Sequence, residues 1–127
     1  MTTGKKILLV EDDALISMAL GEQFRRWGYT PCEPATTGEE AIRKAAAEQP
    51  DMIIMDVCIK GKMNGIETAR EISSRSRIPI ILMSGYSKSD IQQTADIDCV
   101  VEFLSKPVEL DDLKNVIESV AAKSCKV

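Results

Sequence analysis

The sequence contains no histidine, and this absence removes several kinds of chemistry. Histidine metal sites, Ser-His-Asp triads and histidine general bases are excluded, because each of them needs an imidazole. Aromatic residues make up only 4% of the chain, so a platform for stacked nucleic-acid bases is not expected. The net charge of −4 also argues against direct nucleic-acid binding, which usually requires a basic patch.

Long apolar segments and closely paired cysteines are missing as well. The longest apolar run is far shorter than the roughly 20 residues that a membrane-spanning helix needs. The apolar run 7–10 ends at three consecutive acids and cannot form a signal-peptide core, so we expect a cytoplasmic protein that does not enter a membrane. No Cys-x-x-Cys pattern occurs, which favours buried free thiols over a zinc site or disulfides at Cys32, Cys58, Cys99 and Cys125.

What the sequence does contain is an alternation of short apolar runs and helical segments. With 127 residues, 44% of them hydrophobic, it predicts one domain over 1–127 with a core at about 5–122. Strands that are apolar throughout predict a parallel sheet with helices on both faces. We therefore predict an α/β fold, a doubly wound five-stranded parallel sheet of the (βα)5 flavodoxin-like kind, with strand order 2-1-3-4-5. The predicted strands are 7–10, 29–35, 51–56, 78–83 and 99–104, and the predicted helices are 14–27, 36–49, 66–74, 87–95 and 110–122.

Two predicted helices have features that bear on function. Asp13 is a good N-cap for the first helix, whose buried stripe is predicted to comprise Leu15, Met18, Ala19, Phe24 and Trp27. The fourth helix has only Ile91 and Ala95 to bury. We therefore expect the fourth helix to be the least stable element of the fold.

Polar side chains follow four of the predicted strands where each strand ends. The first and third strands are predicted neighbours, so their carboxylates would converge and would need a cation among them to remain ionised. Oxygen ligands without histidine or cysteine suit a hard cation, Mg²⁺ first and Mn²⁺ as the alternative. A lysine and a hydroxyl beside a carboxylate suit phosphoryl oxygens, and the central carboxylate is itself a candidate nucleophile. The residues are Glu11, Asp12 and Asp13, then Asp56, then Ser84, then Lys106.

Each of these residues alone has an ordinary explanation. Asp13 is a helix cap, Ser84 a strand-end hydroxyl, Lys106-Pro107 a common turn, and Glu11-Asp12 a solvated loop. Their occurrence together at one edge of successive strands favours a functional site.

The motifs Val10-Glu11-Asp12-Asp13, Asp56, Ser84-Gly85 and Lys106-Pro107 together resemble the receiver domain of two-component response regulators, of which the chemotaxis regulators are an example. The resemblance covers residues 5–122. It implies that Asp56 accepts a phosphoryl group from a sensor histidine kinase or a His-containing phosphotransfer protein. It also implies that phosphorylation shifts the fourth helix, fifth strand and fifth helix, a face through which receivers also form phosphorylation-dependent homodimers.

The resemblance assigns a role to each motif residue. Asp12 and Asp56 would bind Mg²⁺ directly, as would the backbone carbonyl of Cys58, and Glu11 would act through water. Lys106 would pair with the phosphoryl oxygens. The peptide bond between Lys106 and Pro107 would be cis. Ser84 would move toward the phosphoryl group on activation, and Phe103 would turn inward with it as the switch aromatic.

The loop after Asp56 departs from the family pattern. It is one residue longer than usual and contains Lys60-Gly61-Lys62, with Gly61 suited to a positive φ at a tight turn. Cys58 and Tyr86 occupy the two variable positions that tune autodephosphorylation in the family. The bulk of Tyr86 predicts that the acyl phosphate would be shielded from water and lost slowly.

Three other functions are weighed against a phosphorylation switch. A phosphatase or phosphotransferase of the aspartyl-phosphate kind usually has an acid two residues after the nucleophile, where this chain has Cys58. A flavin module needs a Ser/Thr/Gly phosphate loop where this chain has three acids, and a degenerate receiver would have lost motif residues that are present here. Only residues 123–127 follow the last predicted helix, so the chain is either a single-domain regulator or a piece of a protein with an output domain.

Overall fold

The computed structural model describes residues 4–85 and 87–123, and the side chains of Ser87 and Lys88 are not described. This part of the chain contains five strands that alternate with five helices. The strands are β1 (Lys6–Val10), β2 (Thr30–Pro31), β3 (Met52–Asp56), β4 (Ile80–Ser84) and β5 (Val100–Ser105). The helices are α1 (Ala14–Arg26), α2 (Gly38–Glu48), α3 (Gly65–Ser73), α4 (Ser87–Thr94) and α5 (Leu110–Lys123).

The five strands form one parallel sheet in the order β2-β1-β3-β4-β5, as predicted. The proline-bearing β2 lies at an edge and is much shorter than the predicted 29–35, because Pro31 and Pro34 cannot donate to a ladder. The registers Val10↔Met55 and Asp56↔Met83 bring the carboxyl ends of the three central strands to the same edge.

Alternation along the strands divides the core between the two faces of the sheet. Leu8 and Val10 face the side covered by α2 and α3, whereas Ile7 and Leu9 face the side covered by α1 and α5. β3 and β4 are buried at every position, as expected for central strands of a doubly wound sheet. Within the described residues, every helix is too short or too polar to cross a membrane.

The buried stripe of α1 differs from the prediction. Phe24 is buried and Trp27 packs against the core, but Leu15 and Met18 are 77% and 71% exposed. Ala19 is exposed as well. The helix instead turns Ser17, Leu20 and Phe24 inward, an i, i+3, i+7 row. The helix has apolar residues on two faces, and the sequence pattern alone did not distinguish the core face from the solvent face.

Candidate functional site

Asp56 is the last residue of β3, and its side chain is held from two sides. The residue is 4% exposed. Its Oδ1 accepts a hydrogen bond from the backbone N–H of Cys58 at 3.0 Å, and its Oδ2 pairs with the ammonium of Lys106. The predicted carboxylate–lysine pair therefore forms at the carboxyl edge of the sheet.

Close backbone packing fixes the position of Asp56. The N–H of Gly65, the first residue of α3, donates to the carbonyl oxygen of Val57 at 2.7 Å. A Cβ on Gly65 would lie 2.3 Å from the carbonyl oxygen of Asp56 and 2.7 Å from Cα of Val57. The start of α3 thus supports the chain as it leaves β3, and this contact leaves no room for a side chain.

The three acids after β1 have different environments. Glu11 is 5% exposed, and its Oε2 accepts from the backbone N–H of Asp13 at 3.2 Å. Asp12 is half-buried. Asp13 is exposed and caps α1, accepting from the N–H groups of Leu15 and Ile16 at 2.9 and 3.3 Å. The predicted helix-cap role of Asp13 is confirmed, and Glu11 and Asp12 lie at the edge that carries Asp56.

Electrostatics at this edge disfavour a negative charge on Glu11. Burial raises the pKa of Glu11 most strongly, and the negative charges of Asp56 and Asp12 raise it further. The hydrogen bond from Asp13 and the positive charge of Lys106 act in the opposite direction. The charged groups that shift the pKa of Glu11 belong to the predicted site, so these side chains lie close enough to interact electrostatically.

The donor atoms at this edge fit a hard cation that retains several waters. Among residues 4–85 and 87–123, no three His, Cys, Asp or Glu side chains are grouped closely enough to hold a metal by themselves. Mg²⁺ usually takes only some of its ligands from the protein and keeps several waters. Two carboxylates and a backbone carbonyl would be enough to hold it. A buried Glu11 whose ionised form is disfavoured also suits a site where a cation supplies the missing positive charge.

Ser84 is the last residue of β4, and Lys106 directly follows the neighbouring strand β5. Ser84 is 3% exposed, and its carbonyl oxygen accepts from the backbone N–H of Lys106 at 2.8 Å. The Lys106-Pro107 peptide bond is cis, as the resemblance implies. Phe103, on the same strand as Ser105, is half-buried against the core on the α2–α3 side.

Comparison with known proteins decides the family. The family model of the response regulator receiver domain matches residues 7–118. The chain belongs to the response regulator receiver family. It is thus a receiver domain, homologous to the domains that accept phosphoryl groups in two-component systems.

Curated relatives of this receiver span different lengths. Transcriptional regulatory protein PdtaR of Mycobacterium tuberculosis is 36% identical over 114 residues, which cover 90% of this chain and 55% of that protein. The chain thus spans about half of that relative. Sporulation initiation phosphotransferase F of Bacillus subtilis is 30% identical over 116 residues, which cover 90% of this chain and 91% of that protein.

A solved structure matches the receiver at a similar level of identity. Response regulator protein TrrA from Thermotoga maritima, in complex with Mg(2+)-BeF, superposes with a TM-score of 0.79 and is 31% identical. The match covers 91% of this chain and 98% of that one. A receiver domain protein from Methanospirillum hungatei superposes with a TM-score of 0.87 over 96% of this chain and 97% of that one, and at 24% identity it supports the fold alone.

The sequence did not reveal the partner of the Ser84 hydroxyl in this receiver. Ser84 Oγ donates to Oδ2 of Asp90, which lies six residues later in α4. At the other end of α4, the guanidinium of Arg70 binds Asp96 Oδ2 at 2.7 Å and the carbonyl oxygen of Gln93 at 3.0 Å. An acid in the first turn of a helix is common, so the sequence offered no signal that Asp90 contacts the site.

The long loop after Asp56 is partly explained. Gly61 has φ +105°, as predicted, and a Cβ there would lie 3.0 Å from a carboxylate oxygen of Glu39. Lys60 forms an isolated parallel bridge with Thr37, the N-cap of α2. Cys58 is exposed, which corrects the expectation of a buried thiol, because the loop turns this side chain to solvent beside Asp56. Cys32 and Cys99 are half-buried free thiols, whereas Cys125 and Tyr86 lie outside the described residues.

Proposed function

We propose that Asp56 is the phosphoacceptor of this receiver and that the chain switches conformation when Asp56 is phosphorylated. The observation that carries the proposal is the buried Asp56 carboxylate, paired with Lys106 and adjoining Glu11. A carboxylate in this position has a nucleophilic oxygen, a nearby cation and little competing water. Phosphotransferase F of Bacillus subtilis, a relative of similar length, supports a phosphotransfer role.

The transfer would proceed by direct displacement. A carboxylate oxygen of Asp56 attacks the phosphorus of a phosphohistidine, the P–O bond forms, and the P–N bond breaks with its electron pair left on the imidazole nitrogen. Lys106 would transfer its contact from Asp56 to the phosphoryl oxygens, where negative charge has been added. A Mg²⁺ ion held by Asp12, Asp56 and the backbone carbonyl of Cys58, with Glu11 through water, would neutralise phosphoryl charge.

The phosphorylated state would be read through the Ser84 and Lys106 side chains. Their attraction to the phosphoryl oxygens would bias α4, β5 and α5 toward a second arrangement, with Phe103 turning inward. A homodimer through this face is one output of such a change. The protein would act as a signalling switch in the cytoplasm, taking part in its own phosphorylation and dephosphorylation and not turning over a separate substrate.

The phosphoryl donor would be a histidine kinase or a His-containing phosphotransfer protein. The donor imidazole must reach Asp56, so its protein must cover the carboxyl edge of the sheet. Beside this edge lies an apolar groove of about 620 Å³, bounded by Ile16, Leu20, Leu110 and Lys106. Exposed apolar side chains on α1, next to the groove, offer a contact surface for the donor.

Phosphorylation by a small donor tests the proposal without the partner. The wild-type chain and Asp56→Asn would be incubated with acetyl phosphate and Mg²⁺, and the intact mass would be measured. We expect one added phosphoryl group on the wild type and none on the variant. Asp13→Asn is the matched control, because it makes the same change nearby and asparagine caps helices as well as aspartate does. An unmodified wild type, or a labelled Asp56→Asn, would contradict the proposal.

A further inference from the structure

The hydroxyl of Ser84 is already engaged in this structure. Ser84 is buried at the end of β4, and its Oγ donates to the carboxylate of Asp90 on α4. A serine hydroxyl has one proton to donate. Hydrogen bonds from a hydroxyl to an ionised carboxylate are among the stronger ones in proteins. The Ser84 hydroxyl can therefore donate a hydrogen bond to a phosphoryl oxygen on Asp56 only if its hydrogen bond to Asp90 breaks.

We propose that Asp90 is a positioning residue that holds Ser84 away from the phosphoacceptor in the unphosphorylated state. The proposal rests on the phosphoacceptor role of Asp56 and specifies how that role is regulated. Asp90 and the phosphoryl group compete for the one hydrogen bond that the Ser84 hydroxyl can donate. Phosphorylation breaks the Ser84–Asp90 contact, and the contact in turn lowers the affinity of the site for a phosphoryl group.

The same contact ties α4 to the sheet. Few side chains of α4 are buried, and Ile91 is half exposed. Polar contacts hold both ends of the helix: Asp90 binds Ser84 near the start, and Arg70 binds Gln93 and Asp96 near the end. Loss of the Ser84–Asp90 contact therefore frees the start of α4 while Arg70 retains the end. The expected movement is a pivot of α4 about its C-terminal end.

Binding of beryllofluoride in the presence of Mg²⁺ tests the competition, because this anion mimics a phosphoryl group on a carboxylate. Asp90→Ala removes the competing acceptor, and we expect about tenfold tighter binding, which corresponds to one hydrogen bond to a charged group that is partly solvated. Asp90→Asn keeps a weaker, neutral acceptor, and we expect a gain of about threefold. Asp98→Ala is the matched control, since it removes an exposed acid that follows α4, and its affinity should stay within about twofold of wild type.

A double-mutant cycle with Ser84→Ala separates the competition from a simple change of charge. Once the hydroxyl is removed, Asp90 no longer competes for its hydrogen bond, so adding Asp90→Ala should leave the affinity for beryllofluoride unchanged. If loss of the negative charge were the cause, the gain would persist without Ser84. Persistence of the gain, or an Asp90→Ala affinity no tighter than wild type, would overturn the proposal.

Hydrogen exchange of α4 adds a readout that binding does not give. In free Asp90→Ala, the amides of Ile91 and Gln92, which an α-helix bonds to the carbonyls of its first turn, should exchange faster than in wild type, while the amide of Ile97, bonded to the carbonyl oxygen of Thr94, keeps its protection. Equal protection along α4 in both proteins would overturn the proposed pivot. Failure of wild type to bind beryllofluoride would overturn the phosphoacceptor role of Asp56 and the competition with it, whereas wild-type binding without an Asp90 effect would overturn the competition alone.

Discussion

Replacing Gly65 with alanine would place a methyl group inside the backbone that carries Asp56. The new Cβ would lie 2.3 Å from the Asp56 carbonyl oxygen and 2.7 Å from Cα of Val57. Both atoms belong to the buried backbone where the chain leaves β3, so neither can rotate away as a flexible side chain would. Either α3 or the end of β3 must shift, and both movements disturb the position of Asp56.

The size of the effect follows from the cost of overpacking. Extra carbon atoms in a packed interior cost about 1–3 kcal/mol, and a clash with backbone atoms belongs near the upper value. For a domain of this length, about 3 kcal/mol lowers the melting temperature by roughly 10 °C. Because the displaced backbone carries the phosphoacceptor, labelling by acetyl phosphate should slow as well.

Gly21→Ala provides the matched control. Gly21 lies inside α1, and a Cβ there meets nothing within 4 Å. Alanine is better than glycine in a helix interior by about 0.5–1 kcal/mol, so this variant should melt about 2–4 °C above wild type. Thermal unfolding followed by circular dichroism compares the three proteins. A Gly65→Ala protein that melts at or above the wild-type temperature would show that the start of α3 does not pack tightly against the end of β3.

Three further predictions concern the surface, a helix cap and pH. Replacing both Leu15 and Met18 with serine should leave the melting temperature and the labelling by acetyl phosphate near wild type, because these exposed side chains contribute little to the core. The same change should slow labelling by a phosphorylated histidine donor protein, because it removes apolar surface that the donor would contact. Asp13→Ala should cost about 1 kcal/mol of unfolding free energy in a urea titration, because it removes the α1 cap. Hydrogen bonds from Thr36 lower the pKa of Glu40, so Glu40→Gln should lower the melting temperature at neutral pH. This effect should shrink as the pH falls through the lowered pKa of Glu40, where the carboxyl becomes protonated in wild type as well.

The pH dependence of stability at Glu40 follows from the protonation of its carboxyl group. A carboxyl whose pKa is lower in the folded state stabilises the fold above its unfolded pKa, and this contribution is lost as the pH falls through the folded value. Glu39→Gln is the control, because Glu39 is exposed in the same helix turn. An effect of Glu40→Gln that is independent of pH, an unchanged stability of Asp13→Ala, or a donor-protein rate unaffected by the serine pair would contradict these predictions.

The arrangement at the carboxyl edge was accessible from the sequence because it depends on topology alone. Apolar runs that end in Glu11, Asp56, Ser84 and Lys106 predict a parallel sheet with these residues at one edge, and the strand order and the Asp56–Lys106 pair agree. The N-cap role of Asp13 was equally readable, since it depends on the adjacent residues only.

Other features depend on orientation, which the sequence pattern does not determine. In α1, apolar residues occupy two faces, and only the packing of Phe24 and Leu20 against the sheet shows that Leu15 and Met18 face solvent. The contact between Ser84 and Asp90 depends on how the chain turns between β4 and α4 and on one side-chain rotamer. Neither leaves a trace in hydrophobic periodicity.

Identifying the residue that carries the phosphoryl group tests the phosphoacceptor role of Asp56 directly. After acetyl phosphate and Mg²⁺, borohydride reduces an aspartyl phosphate to homoserine, and the modified position can be read by peptide mass spectrometry. We expect homoserine at position 56 and no reduced side chain at any other acid of this edge. Homoserine at position 12 or 13, the longer alcohol 5-hydroxynorvaline at Glu11, or a wild-type chain without any reduced residue would contradict the phosphoacceptor role of Asp56.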